Sequence, residues 1–192
     1  YCETKFLRTL LPREFAAGVA EALKMAVTFD ARMFNELENA DLKDEKNLTA
    51  LVARSVEIKA RVVEADEKEK GLRAVLNYGH TFAHVIENQT NYKSFLHGEA
   101  VAIGMNMANR LAVNLGLLSE LDAERVKKIL IKNNLPVSYK ISDEEAFYDA
   151  FSLDKKSQNG KINFILPRGI GDAEIKSDIP REEVIKILRE FK

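Results

Sequence analysis

Residues 97–116 read HGEAVAIGMNMANRLAVNLG and place a small residue at every fourth position: Ala100, Gly104, Ala108 and Ala112. On a helix, residues four apart lie one above the other. A strip of that kind lets a neighbouring helix backbone come near, so the chain is restricted to folds with a tight helix–helix seam. The helix carrying it is expected to stop at Gly116. Other segments keep the same period. Pro12 suits a first helical turn, and REFAAGVAEALKMAV then sets Phe15, Val19, Ala22, Leu23 and Ala26 on one face. DARMFNELENA restarts from Asp30, a good N-cap.

From about residue 47 to 64 apolar side chains at 48, 51, 52, 56, 58 and 62 hold close to helical spacing, and the charged run EADEKEKG ends at Gly71, a plausible stop. SELDAERVKKILIKNN opens with Ser119 as a cap, and SDEEAFYDAF carries Ser142 and Glu145 in capping-box spacing. Strand chemistry enters late. KINFILP is apolar and stopped by Pro167, RGIGD is a turn, and AEIKS can pair back on it. PREEVIKILREF closes the chain as a helix starting at Pro180. The expected fold is mainly α: one multi-helix domain over residues 1–192 with a small C-terminal β-hairpin, and a boundary near residue 117 only weakly marked.

Composition narrows the class. A chain of 192 residues can bury a core, and 46% apolar with 31% charged residues describes an ordinary soluble protein. A net charge of -1 gives no reason to expect nucleic acid or a membrane surface as partner. Cys2 is the single cysteine, which excludes a disulfide framework and a thiolate metal site. With no run of 18 apolar residues and no signal peptide in view, a cytoplasmic location is expected.

The three histidines, His80, His84 and His97, all fall in one 18-residue window, with Gly79 and Gly98 beside two of them. A helix over residues 77–89 puts His80 and His84 at i and i+4, the spacing by which adjacent turns aim two imidazoles at one ion. A third ligand could be His97 or a carboxylate, and spacing does not choose. Basic residues form a second constellation. Lys24 follows Glu21 by three, Lys59 lies on the longer helix, Arg73 precedes Asn77 by one turn and His80 by two, so that these three are expected to track along one helix side, and Lys155 and Lys156 sit in SLDKKSQNG. Surface lysines are usually only solvated. Several cations and an amide around a metal, however, suit a small polyanion, since Arg reads carboxylate or phosphate as a planar fork and Lys adds point charge.

REFAAGVAEALKMAV, VVEADEKEKGLRAVLNYGHTFAHVIE, HGEAVAIGM and DKKSQNGKINFILPRGIG, in that order, resemble the successive signatures of 3-dehydroquinate synthases. The likeness is to the C-terminal, helical metal-binding domain of that two-domain family. No G-x-G-x-x-G is present; the GIG at 169–171 lacks the third glycine and follows the wrong element. With Tyr1 first, the chain reads as a C-terminal domain whose NAD-binding half lies elsewhere, and is expected to be inactive alone.

The resemblance implies zinc, or another divalent ion such as cobalt, on Glu21, His80 and His97. It places Lys24, Lys59, Arg73, Asn77, His84 and one lysine of the 155/156 pair, taken as Lys156, on the substrate, with Lys24, Lys59 and His84 in the catalytic set. An acidic pocket residue aligns at Glu69. The implied substrate is 3-deoxy-D-arabino-heptulosonate 7-phosphate. In the family NAD oxidises its C5 alcohol with zinc as Lewis acid, phosphate is eliminated, the hydride returns, and ring opening with aldol closure gives 3-dehydroquinate. A homodimer is expected. Three other readings stand beside this one: a related sugar-phosphate cyclase, a polyol dehydrogenase domain, and a non-catalytic zinc-binding helical module that mediates assembly.

Overall fold

The computed structural model describes residues 2–68, 71–153 and 162–192. After a 3₁₀ segment at Thr4–Thr9, helix α1 (Pro12–Phe29) leads into α2 (Ala31–Asn39) and the longer α3 (Glu45–Ala65). A second 3₁₀ segment, Leu72–Asn77, precedes α4 (His80–Gln89) and α5 (His97–Asn114). Then come α6 (Glu120–Lys132), α7 (Glu144–Ala150), the strands β1 (Phe164–Pro167) and β2 (Ala173–Lys176), and α8 (Arg181–Arg189). The fold is mainly α with one small hairpin, as the periodicity predicts.

Local chemistry accounts for the boundaries. Pro12 opens α1, where its missing N–H costs nothing. Asp30 caps α2 through the Met33 N–H at 3.0 Å, and Ser119 caps α6 through the Asp122 N–H at 3.0 Å. Two expectations shift. Asp143 rather than Ser142 caps α7, its carboxylate accepting the N–H groups of Glu145 and Ala146 at 3.0 Å each. A carboxylate is the stronger acceptor at the positive end of a helix. Helix α3 stops at Ala65, two residues into the charged run, and Gly71 instead sits at the N-cap of the 3₁₀ segment.

The buried apolar residues form one cluster running from Ala16 to Phe191. Helix α5 is its axis: every residue of 98–109 is buried, whichever way the side chain points. The small strip works as expected. A Cβ on Gly104 would strike the Gly79 carbonyl oxygen and stand 3.1 Å from the Ala83 nitrogen, so α4 and α5 touch backbone to backbone. The hairpin pairs antiparallel, Ile165 opposite Ile175, and β1 is buried at all four residues. Its Phe164 stacks with Phe82 of α4 and Phe151, ring centroids 5.5 Å apart in both pairs. None of the helices, among the described residues, is long and apolar enough to cross a membrane.

Candidate metal and substrate site

The segment before His80 is not continuous helix. Asp66 accepts the N–H groups of Gly71 and Arg73 at 2.8 and 3.0 Å, which tightens residues 72–77 into a 3₁₀ turn. The chain then swings through Gly79 at φ +83°, and α4 begins afresh at His80. Arg73, Asn77 and His80 therefore do not track along one helix side, contrary to the sequence expectation. Gly79 is required twice over. Its φ disfavours a side chain, and a Cβ would lie 2.9 Å from both the Met105 nitrogen and the Val101 carbonyl of α5. The tight seam thus sets the point where α4 starts and His80 emerges.

His97 is placed by a second close approach. A Cβ on Gly98 would meet the backbone of Ala17, 2.6 Å from its carbonyl carbon and 2.7 Å from its Cα. The N-terminus of α5 consequently rests on α1 one turn before Glu21. Arg13 clamps the same junction, its guanidinium donating to both oxygens of Glu99 at 2.6 and 2.5 Å and to the Ser94 carbonyl at 2.8 Å. Glu99 in turn accepts the Leu96 N–H at 2.8 Å. The hydrogen bond from Arg13, against a smaller opposing effect of burial, holds the Glu99 carboxyl below its ordinary range.

These contacts bring Glu21, His80 and His97 together, with one potential ligand atom from each within 4.8 Å of the others. Glu21 divides its oxygens. Oε2 accepts from Lys24 Nζ at 2.7 Å, while Oε1 is buried, has no hydrogen-bond partner among the described residues and lies 3.8 Å from His97 Nε2. Burial alone would raise the Glu21 carboxyl, but the Lys24 ammonium, with His80 and His97 adding to it, outweighs that and holds it below the usual value. Burial, then the nearby Lys24 charge, pushes the His80 imidazole well down, so it is neutral near pH 7. Its Nδ1 lies 3.2 Å from the Tyr78 carbonyl, which can only accept. The proton belongs on Nδ1, and Nε2 keeps a lone pair.

This donor set fits a divalent metal. An unpartnered buried carboxylate oxygen is costly, and a cation shared with two imidazoles satisfies it. Carboxylate plus two imidazoles is also a usual ligand set for zinc.

Beside this cluster, sharing Glu21 with it, is a cavity of about 240 Å³ lined by Lys24, Lys59, Arg73, Asn77, Met25 and Leu76, among others. Four of the residues expected to meet substrate thus come from α1, α3 and the 3₁₀ turn. Arg73 is steadied by its Nη1–H bond to the Glu67 carbonyl, 2.8 Å. His84 stands half-buried next to His80, ring centroids 5.7 Å apart and planes at 87°. Glu69, Lys155 and Lys156 lie outside the described residues.

The sequence reading passed over Glu87. This buried α4 residue has Oε1 2.9 Å from His97 Nδ1. It also passed over the Arg13 and Glu99 clamp. Glu87 lies seven residues after His80, two helical turns, which is the one signal that could have singled it out.

Comparison with known proteins identifies the family. The family model for the 3-dehydroquinate synthase C-terminal domain matches residues 18–157. The chain is 69% identical over 192 residues to the 3-dehydroquinate synthase of Campylobacter curvus (strain 525.92), covering all of this chain and 56% of that protein. It is 59% identical over 191 residues to the one from a Nitratiruptor species, covering all of this chain and 55% of that protein. The chain therefore spans about half the length of these curated relatives.

Among solved structures, 2-epi-5-epi-valiolone synthase from Streptomyces hygroscopicus subsp. jinggangensis 5008, with NAD+ and Zn2+ bound, superposes with a TM-score of 0.88 at 30% identity. That match covers 98% of this chain and 54% of the other. A 2-deoxy-scyllo-inosose synthase shares the fold, at a TM-score of 0.76 and 23% identity over 94% of this chain and 52% of its own. With a family match across most of the chain and the helical signatures in the same order, this chain belongs to the 3-dehydroquinate synthase C-terminal domain family.

Proposed function

We propose that this chain is the metal- and substrate-binding part of a two-domain 3-dehydroquinate synthase, which converts 3-deoxy-D-arabino-heptulosonate 7-phosphate to 3-dehydroquinate and phosphate. One observation carries the reading: the Glu21, His80 and His97 cluster shares a carboxylate with a cavity lined by Lys24, Lys59, Arg73 and Asn77. The 56–69% identity to proteins named 3-dehydroquinate synthase favours this substrate over that of the valiolone cyclase, at 30%.

In this reading Glu21, His80 and His97 hold zinc and leave a position open for substrate, as three-ligand catalytic sites do. When bound, zinc would supply Lewis acidity at a substrate hydroxyl, and NAD would supply the hydride acceptor and donor. The chain's own side chains bind and orient. Lys24, tied to Glu21 Oε2, keeps an ammonium in the cavity beside the metal ligands, where a substrate anion is balanced. Arg73 offers a planar donor fork to carboxylate or phosphate, Lys59 adds a point charge, and Asn77 donates or accepts at a hydroxyl. His84, next to His80, is read as a substrate contact, as is Lys156 of the 155/156 pair on the family resemblance alone. NAD is held mainly by the half of the enzyme that this chain does not include. Homodimeric assembly and a cytoplasmic location belong to the same proposal.

The test is a chimera in which this chain replaces the corresponding part of the Campylobacter curvus enzyme. With zinc and NAD, the chimera should release phosphate from the heptulosonate phosphate, and this chain alone should not. A folded, zinc-loaded chimera without phosphate release overturns the assignment of substrate and reaction. Turnover by the isolated chain overturns the two-part reading.

A further inference from the structure

The two histidines of the cluster are held in different ways. His80 is largely buried and its Nδ1 faces a neutral backbone carbonyl at 3.2 Å. His97 opens α5, its side chain is 51% exposed, and a ring at a helix terminus with that much exposure is free to change rotamer. What holds it is Glu87, whose carboxylate is 8% exposed and whose Oε1 lies 2.9 Å from His97 Nδ1. The other ring nitrogen, Nε2, faces Glu21 Oε1 across 3.8 Å.

We infer that Glu87 is a positioning residue for the metal site, fixing the orientation and tautomer of His97 so that Nε2 offers its lone pair beside Glu21 and His80. The inference rests on the metal reading given above. Its physical basis is simple. A carboxylate has no proton to donate, so the short contact requires hydrogen on Nδ1, which leaves Nε2 as the ligand atom. A carboxylate behind an imidazole also makes it a more basic ligand, and the loss of such an outer partner typically costs about 10–100-fold in metal affinity. Glu87 and His80 stand on one helix two turns apart, so α4 supplies one ligand and aims another. Any tilt of α4 moves both together, which keeps the cluster in register.

The experiment compares the 192-residue chain with its Glu87→Gln and Glu87→Ala variants, using Zn²⁺ in competition with a chromogenic chelator and Co²⁺ absorption as probes. Glu87→Ala should bind zinc about 10–100-fold more weakly and show an altered cobalt spectrum. Glu87→Gln, which keeps an acceptor oxygen but not the charge, should fall between it and the unaltered chain. Ring ¹⁵N spectra without metal give a readout that a purely structural role would not move. His97 should be the Nδ1–H tautomer in the unaltered chain and lose that preference in Glu87→Ala. With three histidines in the chain the signals are assignable.

Unaltered zinc affinity and tautomer in a folded Glu87→Ala overturn the inference while leaving the metal reading intact. Failure of the unaltered chain to take up zinc overturns the metal reading, and this inference with it. A variant whose metal-free melting temperature falls while its folded fraction binds zinc normally shows a packing role and also overturns the inference.

Discussion

Replacing Gly98 by Ala tests the claim that backbone contact between α1 and α5 positions the metal cluster. The added Cβ would stand 2.6 Å from the Ala17 carbonyl carbon and 2.7 Å from its Cα, where ordinary contact begins at 3.4 Å. All the atoms in its way are backbone, the Ala17 carbonyl oxygen nearest of all, so no rotamer change relieves it and the seam must open by roughly 1 Å or more. Overpacking of this kind costs about 1–3 kcal/mol, offset by at most about 1 kcal/mol of improved helix propensity. A net loss of about 1–2 kcal/mol lowers the melting temperature by roughly 2–8 °C in a chain of this size.

The same opening carries His97 away from Glu21 by several times the roughly 0.2 Å that zinc coordination tolerates, so zinc affinity should fall at least about tenfold. Gly18→Ala is the matched control. That glycine is exposed on α1 with nothing among the described residues within 4 Å of where its methyl would stand, and the substitution should stabilise by about 0.5–1 kcal/mol without changing zinc affinity. Thermal melts and chelator competition on both variants decide it. A Gly98→Ala chain as stable and as zinc-avid as the parent refutes the reasoning.

Three further outcomes are expected. Glu21→Ala should lose bound zinc while His84→Ala keeps about one zinc per chain, measured by elemental analysis of purified protein; the reverse pattern would make the i, i+4 histidine pair the ligands. Tyr78→Phe should cost about 1–3 kcal/mol in urea unfolding, because the buried Tyr78 hydroxyl donates to Asn109 Oδ1 and Asn109 Nδ2 already lacks a partner among the described residues. An unchanged urea midpoint would show that the pair contributes nothing. Glu144 has its pKa held at about 2 by hydrogen bonds from Lys192, its own N–H and Arg189. A carboxyl depressed on folding adds stability above its ordinary value near 4.5, and that stability is lost as pH falls through about 2. Glu144→Gln should therefore show a shallower loss of stability than the parent between pH 4.5 and about 2, and identical slopes would exclude the effect.

What the sequence determined by itself is chiefly local. Helical period, Pro12, Asp30 and Ser119 were enough to locate helices and their starts, because capping and burial of one face are decided within a few residues. The four-residue strip on α5 foretold a close seam, since missing side chains leave only one way to fill the space. The ordered signatures carried the family. Residue spacing could not go further.

Lying 59 positions apart, Glu21 and His80 share no local geometry. The i, i+4 rule favoured His84 as the partner of His80, yet it is Glu21, His80 and His97 that packing gathers, one potential ligand atom from each within 4.8 Å of the others. The expected helix over residues 77–89 broke at Gly79, whose φ of +83° lies outside the helical region, and the Met105 and Val101 backbone of α5 leaves no room there for a Cβ. Glu87 was silent in the sequence, as one glutamate among many. It gained a role only when α4 and α5 closed and set its carboxylate against His97. Those contacts join elements distant along the chain, and their geometry follows from how closely two backbones can approach, a quantity fixed by every atom in the seam rather than by any local pattern.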